Sequence, residues 1–543
     1  MNGRDPGAER RRWNLRTVPE ALARRYREEG HWDDSTLGAT VAEGLARRAH
    51  LEFNVHSAVR PWSGTFGEVD RMARTLAGSL RRAGVGPGDV VMFQMPNWLE
   101  AGVTFWASAY LGAVVVPVVH FYGAKEVAYI IEATDPDVIV TADRFGHADF
   151  IETYARLLAD REGPLWLVAG ETPAADLPQR AVSFEAMLRG EPIEAPATVD
   201  PCAPAIVAFT SGTTRDPKGV IHTHETIGFE TRQLNQMFPG GGPAPITGAP
   251  VGHFIGMVNA FLVPLLRERP VNLVDVWDPA TILRLMQERN LGVAGGATYF
   301  LTSLLDHPDF TDAHLANMPF AGLGGSTVPG AVMERLERMG IAAFRSYGST
   351  EHPSITGCLL ADDAAKRLYT DGRALGGVEV RLGADGEIFS RGPDCFMGYI
   401  DASMTPKVVD DQGWYRTGDV GVLDADGFLT ITDRVSDVII RGGENISAVE
   451  VEELLMGLAQ VAEVAVVAVP DDRLGERAAA VMRLREGASM PTIEEVRAHL
   501  GAAGLAKQKW PERLVEVEEF PRTPSGKVQK FRLRERLRDE SSA

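Results

Sequence analysis

Residues 210–220 read TSGTTRDPKGV, a run of hydroxyl side chains, two glycines and a lysine that follows an apolar strand expected over 205–209. Backbone N–H groups, the hydroxyls of Thr210, Ser211, Thr213 and Thr214, the open backbone at Gly212 and the Lys218 ammonium together could share the charge of a triphosphate. The same composition also makes an ordinary polar turn. A Walker A loop is ruled out, because that pattern needs Gly-Lys-Ser/Thr where this chain has Pro217-Lys218-Gly219.

Four later stretches carry further chemistry. In YGSTE, residues 347–351, Tyr347 can stack on a flat base, small residues Gly348, Ser349 and Thr350 follow, and the Glu351 carboxylate can hold the magnesium that accompanies a triphosphate. YRTGD, 415–419, sets Asp419 at a glycine turn, where a carboxylate can accept from both hydroxyls of a ribose. DRVSDVIIRGGENIS, 433–447, places adjacent glycines, among them Gly443, where a thin ligand could approach the backbone closely. PRTPSGK, 521–527, presents Lys527 on a tight loop, although a solvated lysine is the ordinary reading of that residue. His222 and His224 stand two apart without a third ligand nearby in sequence, so zinc is not expected.

These stretches need a framework to bring them together. Thr65 and Glu68 form a capping box ahead of an amphipathic helix closed by Gly84. A strand is expected at 90–93, then a helix capped by Asn97 and stopped by Gly112, a strand ended by Pro117, a helix near 127–131 and a strand at 137–141. Strand and helix alternate again through 271–275, 281–287 and 341–346, which implies a mostly parallel sheet covered by helices. PGGGPAP, 239–245, reads as a surface loop. From about Val378 short strands separated by GADG and DADG turns imply an antiparallel, barrel-like unit. The last segment reads as a separate small domain, with capping boxes at Ser447–Glu450 and Thr492–Glu495 around a β-rich run at 464–469.

The 543 residues exceed what one core usually supports, and 45% hydrophobic with 24% charged residues is an ordinary globular composition. A formal charge of -19 argues against a nucleic-acid surface. Cys202, Cys358 and Cys395 are few and widely spaced, which suits a reducing cytoplasm and offers no disulfide framework. The uncharged run 101–119 is long enough to span a membrane, but helix, glycine stop and strand account for it without lipid.

Taken in order and spacing, TSGTTRDPKG, YGSTE, YRTGD, DRVSDVIIRGGENIS and PRTPSGK resemble the signatures of the adenylate-forming superfamily, the acyl-CoA synthetases and luciferases. TDGRALGGVEV, SRGPDCFMGY, RGGENIS and PRTPSGKVQKF give a closer similarity to bacterial short- and medium-chain acyl-CoA synthetases and cyclohexanecarboxylate-type CoA ligases. The resemblance implies an α/β fold with a large N-terminal domain of two αβ lobes plus a β-barrel, 1–434, and a small mobile α+β C-terminal domain, 435–543. It implies ATP, Mg2+ and coenzyme A, and an acid–thiol ligase that makes an acyl-adenylate from a short- or medium-chain, alicyclic or aryl acid and passes it to coenzyme A. The alternative acceptor is a carrier protein in trans, an amine or another nucleophile, or the acid is an unusual oxyacid. A homodimer is left open.

By the same resemblance, residues 210–218 cradle the β- and γ-phosphates, and Thr213 and Glu351 neighbour magnesium. Gly325, Ser326 and Tyr347 line the adenine, and Asp419 and Arg434 take the ribose. Lys527 bridges the α-phosphate and the attacking carboxylate, Gly443 meets the pantetheine after the small domain turns, and His253 gates the acyl carboxylate. His253, Phe254, Val258, Tyr299, Gly324 and Pro353 are the expected acyl-pocket residues. Two positions depart from the family pattern: Arg215, where relatives commonly have glycine, and Ser436, where they usually carry Asp or Lys.

Overall fold

A computed structural model of the chain describes residues 12–161, 163–210, 217–237, 241–325, 328–435, 437–441, 444–471, 473–522 and 527–542. Its first layer is a seven-stranded sheet in the order 218–223, 204–210, 114–118, 90–94, 138–142, 165–169, 181–183. Every neighbouring pair is parallel except 204–210 with 218–223, which run antiparallel. Strands Val90–Gln94, Val114–Val118 and Val138–Ala142 are buried at every position, as parallel strands covered on both faces must be.

The helix Leu99–Leu111 buries all but its first residue, so its unbroken apolar character reflects protein packed around it. Gly112 ends it at φ +66°, and a side chain there would run into Val199. Among the described residues no helix is long and apolar enough to cross a membrane. The helix is capped differently from expectation: Trp98 takes the cap position. Asn97 instead donates to the carbonyls of Ala249 and Val274 and accepts from the N–H of Val251, tying the helix start to a distant segment.

A second, five-stranded sheet runs 295–296, 320–324, 342–347, 356–357, 373–374, its first three strands parallel. Its core, from Ile282, Leu301, Leu323 and Met333 among others, is distinct from that of the first sheet. Residues 379–434 form a four-stranded antiparallel sheet. Ala244 and Pro245, expected in a loop, form a short strand beside Leu291–Gly292.

The segment after 439 has its own sheet, centred on the long antiparallel pair Val461–Asp471 and Gly475–Leu484. Side chains alternate across it: Val464, Val466, Ala480 and Met482 enter one core, Ala465, Val467, Ala479 and Val481 another, closed by Phe520 and Leu533. Thr492 and Glu495 make a full capping box; Ser447 caps Ala448–Leu455, but Glu450 pairs with Lys509 and does not reciprocate. Cys202, Cys358 and Cys395 are free thiols.

Candidate active site

Strands Phe320–Gly324 and Ala342–Tyr347 run parallel, with Gly324 opposite Ser346, so both open at their carboxyl ends into the same space. Open α/β sheets offer their ligand crevice at that edge. Strand Pro204–Thr210 of the first sheet ends at the same place, and the return strand begins at Lys218, directly opposite Thr210. The space is a cavity of about 510 Å³ lined by Thr210, Lys218, His253, Gly325, the whole run Tyr347–Glu351, Arg434 and Lys527. These residues come from stretches separated by more than half the chain. Ser211, Gly212, Thr213, Thr214, Arg215, Ser326, Ser436 and Gly443 lie outside the described residues.

Several lining groups are held by partners. Tyr347 donates its phenol proton to Asp419 Oδ2 at 2.6 Å, and Arg434 Nε lies 3.5 Å from the other oxygen. Asp419 thus ties Tyr347 to Arg434. Burial, with Asp419 beside it, raises the Tyr347 pKa well above the phenol range, so the donor stays protonated. Burial works to lower the Arg434 pKa, but Asp419 and Asp437 outweigh it and hold the guanidinium above its ordinary value.

Glu351 is buried, and its Oε1 accepts from Tyr399 at 2.8 Å. The Lys218 ammonium lies 5.6 Å from the centre of the same Tyr399 ring, a cation–π distance. Sequence reasoning assigned Tyr399 no role, although it sits in the FMGY stretch that marked the closer family likeness. The turn that carries Glu351 is tight: a side chain at Gly348 would collide with the Pro353 carbonyl. Next to it, His222 donates through Nε2 to the Thr350 carbonyl at 2.7 Å, while the His224 Nδ1 accepts from Leu37 N–H at 3.1 Å. The two histidines thus point to different partners.

Lys527 retains accessible surface but is enclosed by the cavity walls. That enclosure pushes its ammonium pKa down and Arg434 pushes the same way, while Asp419 and Glu351 oppose. His253 is lowered to about 4 by burial and then by Lys527, so it is a neutral imidazole at neutral pH. Three residues on, Lys530 pairs with Glu452 at 2.7 Å, and Arg534 with Asp437 at 2.9 Å, anchoring the helix whose start positions Lys527.

Of the expected acyl-pocket residues, His253, Phe254, Gly324 and Pro353 line the cavity. Val258 is fully buried away from it. Tyr299 faces solvent, and its neighbour Phe300 faces the cavity instead, stacked edge-on against Trp277. A helical register of one residue separates the two, which no motif spacing specifies.

Residues 47–400 match the family model of the AMP-binding enzymes, and 450–527 match that of the AMP-binding enzyme C-terminal domain. The chain belongs to the AMP-binding enzymes, the adenylate-forming acyl-CoA synthetases. Such enzymes are AMP-forming acid–thiol ligases, and ATP and coenzyme A are their co-substrates. The synthetase is 32% identical over 536 residues to the medium-chain fatty-acid–CoA ligase of Escherichia coli K12, covering 95% of this chain and 93% of that one. It is 34% identical over 521 residues to a 3-[(3aS,4S,7aS)-7a-methyl-1,5-dioxo-octahydro-1H-inden-4-yl]propanoyl:CoA ligase of Rhodococcus jostii RHA1, covering 91% and 98%. The ATP-bound crystal structure of MatB from Rhodopseudomonas palustris superposes with a TM-score of 0.82 at 26% identity, covering 93% of this chain and all of that one.

Proposed function

We propose that this synthetase joins a carboxylic acid of short or medium length, alicyclic or aryl, to coenzyme A, with both half-reactions centred on the cavity that holds Lys527. In the first, the acid's carboxylate oxygen attacks the α-phosphorus of ATP and pyrophosphate leaves, giving an acyl-adenylate. In the second, the thiol of coenzyme A attacks the acyl carbon and AMP leaves. Lys527 donates to the α-phosphate and the incoming carboxylate, where negative charge crowds as the bond forms. Residues 210–218 take the β- and γ-phosphates, Gly325, Ser326 and Tyr347 the adenine, and Arg434 with Asp419 the ribose. His253, neutral beside Lys527, borders the carboxylate without adding charge.

Glu351 suits Mg2+: it is a hard oxygen donor, one of its oxygens is fixed by Tyr399, and it faces the cavity. With Thr213 it would hold the ion, which would neutralise phosphate charge as pyrophosphate departs. The chain divides, on this reading, into 1–434 and a mobile 435–543 that withdraws Lys527 after adenylation and brings Gly443 to the pantetheine. Free cysteines fit a cytoplasmic setting.

The supporting observation is that Lys527 reaches the same cavity as Thr210, Tyr347 and Glu351. The test is pyrophosphate release from ATP over a panel of straight-chain, alicyclic and aryl acids, followed by thioester assay on adding coenzyme A. Release with no acid in the panel counts against the reading.

A second reading changes only the acceptor, to an amine or a carrier-protein thiol. It draws on the likeness to the amide bond synthetase McbA from Marinactinospora thermotolerans, 27% identical with a TM-score of 0.80 over 93% of this chain. Product formed from a supplied amine or carrier with coenzyme A omitted would favour it.

A further inference from the structure

The turn that carries Glu351 is backed by a buried polar network that neither half-reaction accounts for. His352, the next residue, is wholly buried, as are Asp394, Ser390 and Glu230. His352 Nε2 lies 3.2 Å from Asp394 Oδ1, and its Nδ1 lies 2.8 Å from Ser390 Oγ. The other oxygen of Asp394 accepts from Ser354 N–H at 3.2 Å. His352 and Asp394 therefore use every polar atom of their side chains. Ser354 Oγ donates to Glu230 Oε1 at 3.0 Å, and Gln233 Nε2 donates to the Ser354 carbonyl at 2.7 Å. Burial, and then Asp394, raises the Glu230 pKa well above the carboxylate range, so Glu230 accepts here as a neutral acid.

Separate parts of the chain close in this way on residues 349–354. Ser390 belongs to strand Glu387–Arg391, Glu230 and Gln233 to helix His224–Met237, and Asp394 to the turn that follows the strand. The same turn holds Glu351 itself, whose carbonyl accepts from Phe396 N–H at 2.8 Å. Within 349–354, Ser349 N–H donates to the His352 carbonyl at 2.9 Å, and Ser349 Oγ accepts from His352 N–H at 3.2 Å. The backbone of Glu351 is thus fixed directly by Phe396 and through its neighbour by Asp394. Gly392 leaves room for the pair: a Cβ there would stand 2.8 Å from His352 Nε2 and 3.1 Å from Asp394 Oδ1.

Burying a carboxylate beside an imidazole brings little net stability, because desolvation offsets the attraction. A buried pair with all its hydrogen bonds made does, however, fix one arrangement. What it fixes here is the backbone of a carboxylate that lines the cavity. We propose that Asp394 and His352 are positioning residues for adenylation, holding the 349–354 turn so that Glu351 presents its carboxylate to the cation that accompanies ATP. The inference rests on the ligase reading above and on its placing of Mg2+ at Glu351.

The probe is Mn2+, whose electron paramagnetic resonance signal reports binding without turnover. It is titrated into the full-length enzyme together with α,β-methylene-ATP, in which a methylene group replaces the oxygen that pyrophosphate would carry away. Asp394→Ala and His352→Ala are each expected to weaken Mn2+ binding by about tenfold or more, the usual effect of removing a group that orients a metal's ligand. Asp394→Asn, which keeps an acceptor for Ser354 N–H, is expected to recover part of that loss. The same preparations should still convert supplied acyl-adenylate to thioester, a step that releases no pyrophosphate. A fall in that rate by the same factor as the Mn2+ affinity overturns the proposal, because the network would then serve the fold at large. Glu351→Gln separates this inference from the reading beneath it. Mn2+ affinity lost in Glu351→Gln but kept in Asp394→Ala and His352→Ala overturns the inference alone. Affinity kept in Glu351→Gln as well takes the metal away from Glu351 and overturns both.

Discussion

Lys527 is useful only as a cation, and its neighbours decide over what pH range it stays one. In the nucleotide-free enzyme burial and Arg434 lower its pKa, so the charge is present at low pH and is lost as pH rises through a value below the ordinary lysine range. The kcat/KM for adenylation reports the free enzyme and should therefore fall on an alkaline limb set by this group. Arg434→Gln removes a repelling charge and should move the limb to higher pH. Asp419→Asn removes an attracting one and should move it lower. Limbs that shift the same way in both variants would show that another group controls the profile. Lys527→Ala should slow pyrophosphate release by a barrier of about 2.7 to 4 kcal/mol, while supplied acyl-adenylate is still converted to thioester. At this scale the sequence was informative through its motifs taken together, which pointed to Lys527 and Glu351, both of which line the cavity, although a lysine on a tight loop reads by itself as solvated. It was silent on Tyr399, whose hydroxyl matters only because the fold brings it to Glu351 across 48 positions.

His222, on strand Lys218–Thr223, and His224, at the start of helix His224–Met237, show how a residue can support a site without lining its cavity. His222 and His224 are almost wholly buried, and burial lowers both pKa values to about 4. Both are neutral in the folded chain near pH 6, where an unfolded histidine begins to protonate. The unfolded state then binds more protons, so stability is fully present above about pH 6.5 and declines as pH falls toward 4, by at most about 3 kcal/mol per histidine. Thermal midpoints measured from pH 7.5 to 4.5 should drop across that window. His224→Gln, which cannot protonate, should start lower and drop less; an equal drop would assign the acid sensitivity elsewhere. Helix and strand positions of this kind were readable because apolar periodicity and capping residues are local, as Thr65 with Glu68 and Gly112 show. Asn97 misled because its amide serves a tertiary contact, with Ala249 and Val274, instead of the nearest helix. The choice of Phe300 over Tyr299 as a cavity residue likewise depends on how a helix is rotated, which packing sets and spacing does not.

Across the whole molecule, the two-stage scheme we propose has the junction near residue 434 hold Lys527 in the cavity for one half-reaction and release it for the other. Polar contacts cross it. Ser447 Oγ donates to the Thr432 carbonyl at 2.9 Å, and Asp433 Oδ2 accepts from the N–H of Ala448 at 3.1 Å, at the start of helix Ala448–Leu455. Asp433 is buried, and that burial raises its pKa against the pull of nearby donors and of Lys530. Bonds of this size are worth about 1 kcal/mol net and up to 3 kcal/mol where a charge is involved, enough to bias two arrangements without locking one. Asp433→Ala should thus depopulate the arrangement seen here and slow acid-dependent pyrophosphate release by about tenfold, whereas thioester formation from supplied acyl-adenylate, which needs Lys527 withdrawn, should be unchanged or faster. Asp433→Asn keeps an acceptor for Ala448 N–H and should recover part of the loss. The two rates are measured separately on the same preparation, so that a general folding defect lowers both; an equal fall in both would mean that Asp433 supports the fold and not the exchange between its two arrangements.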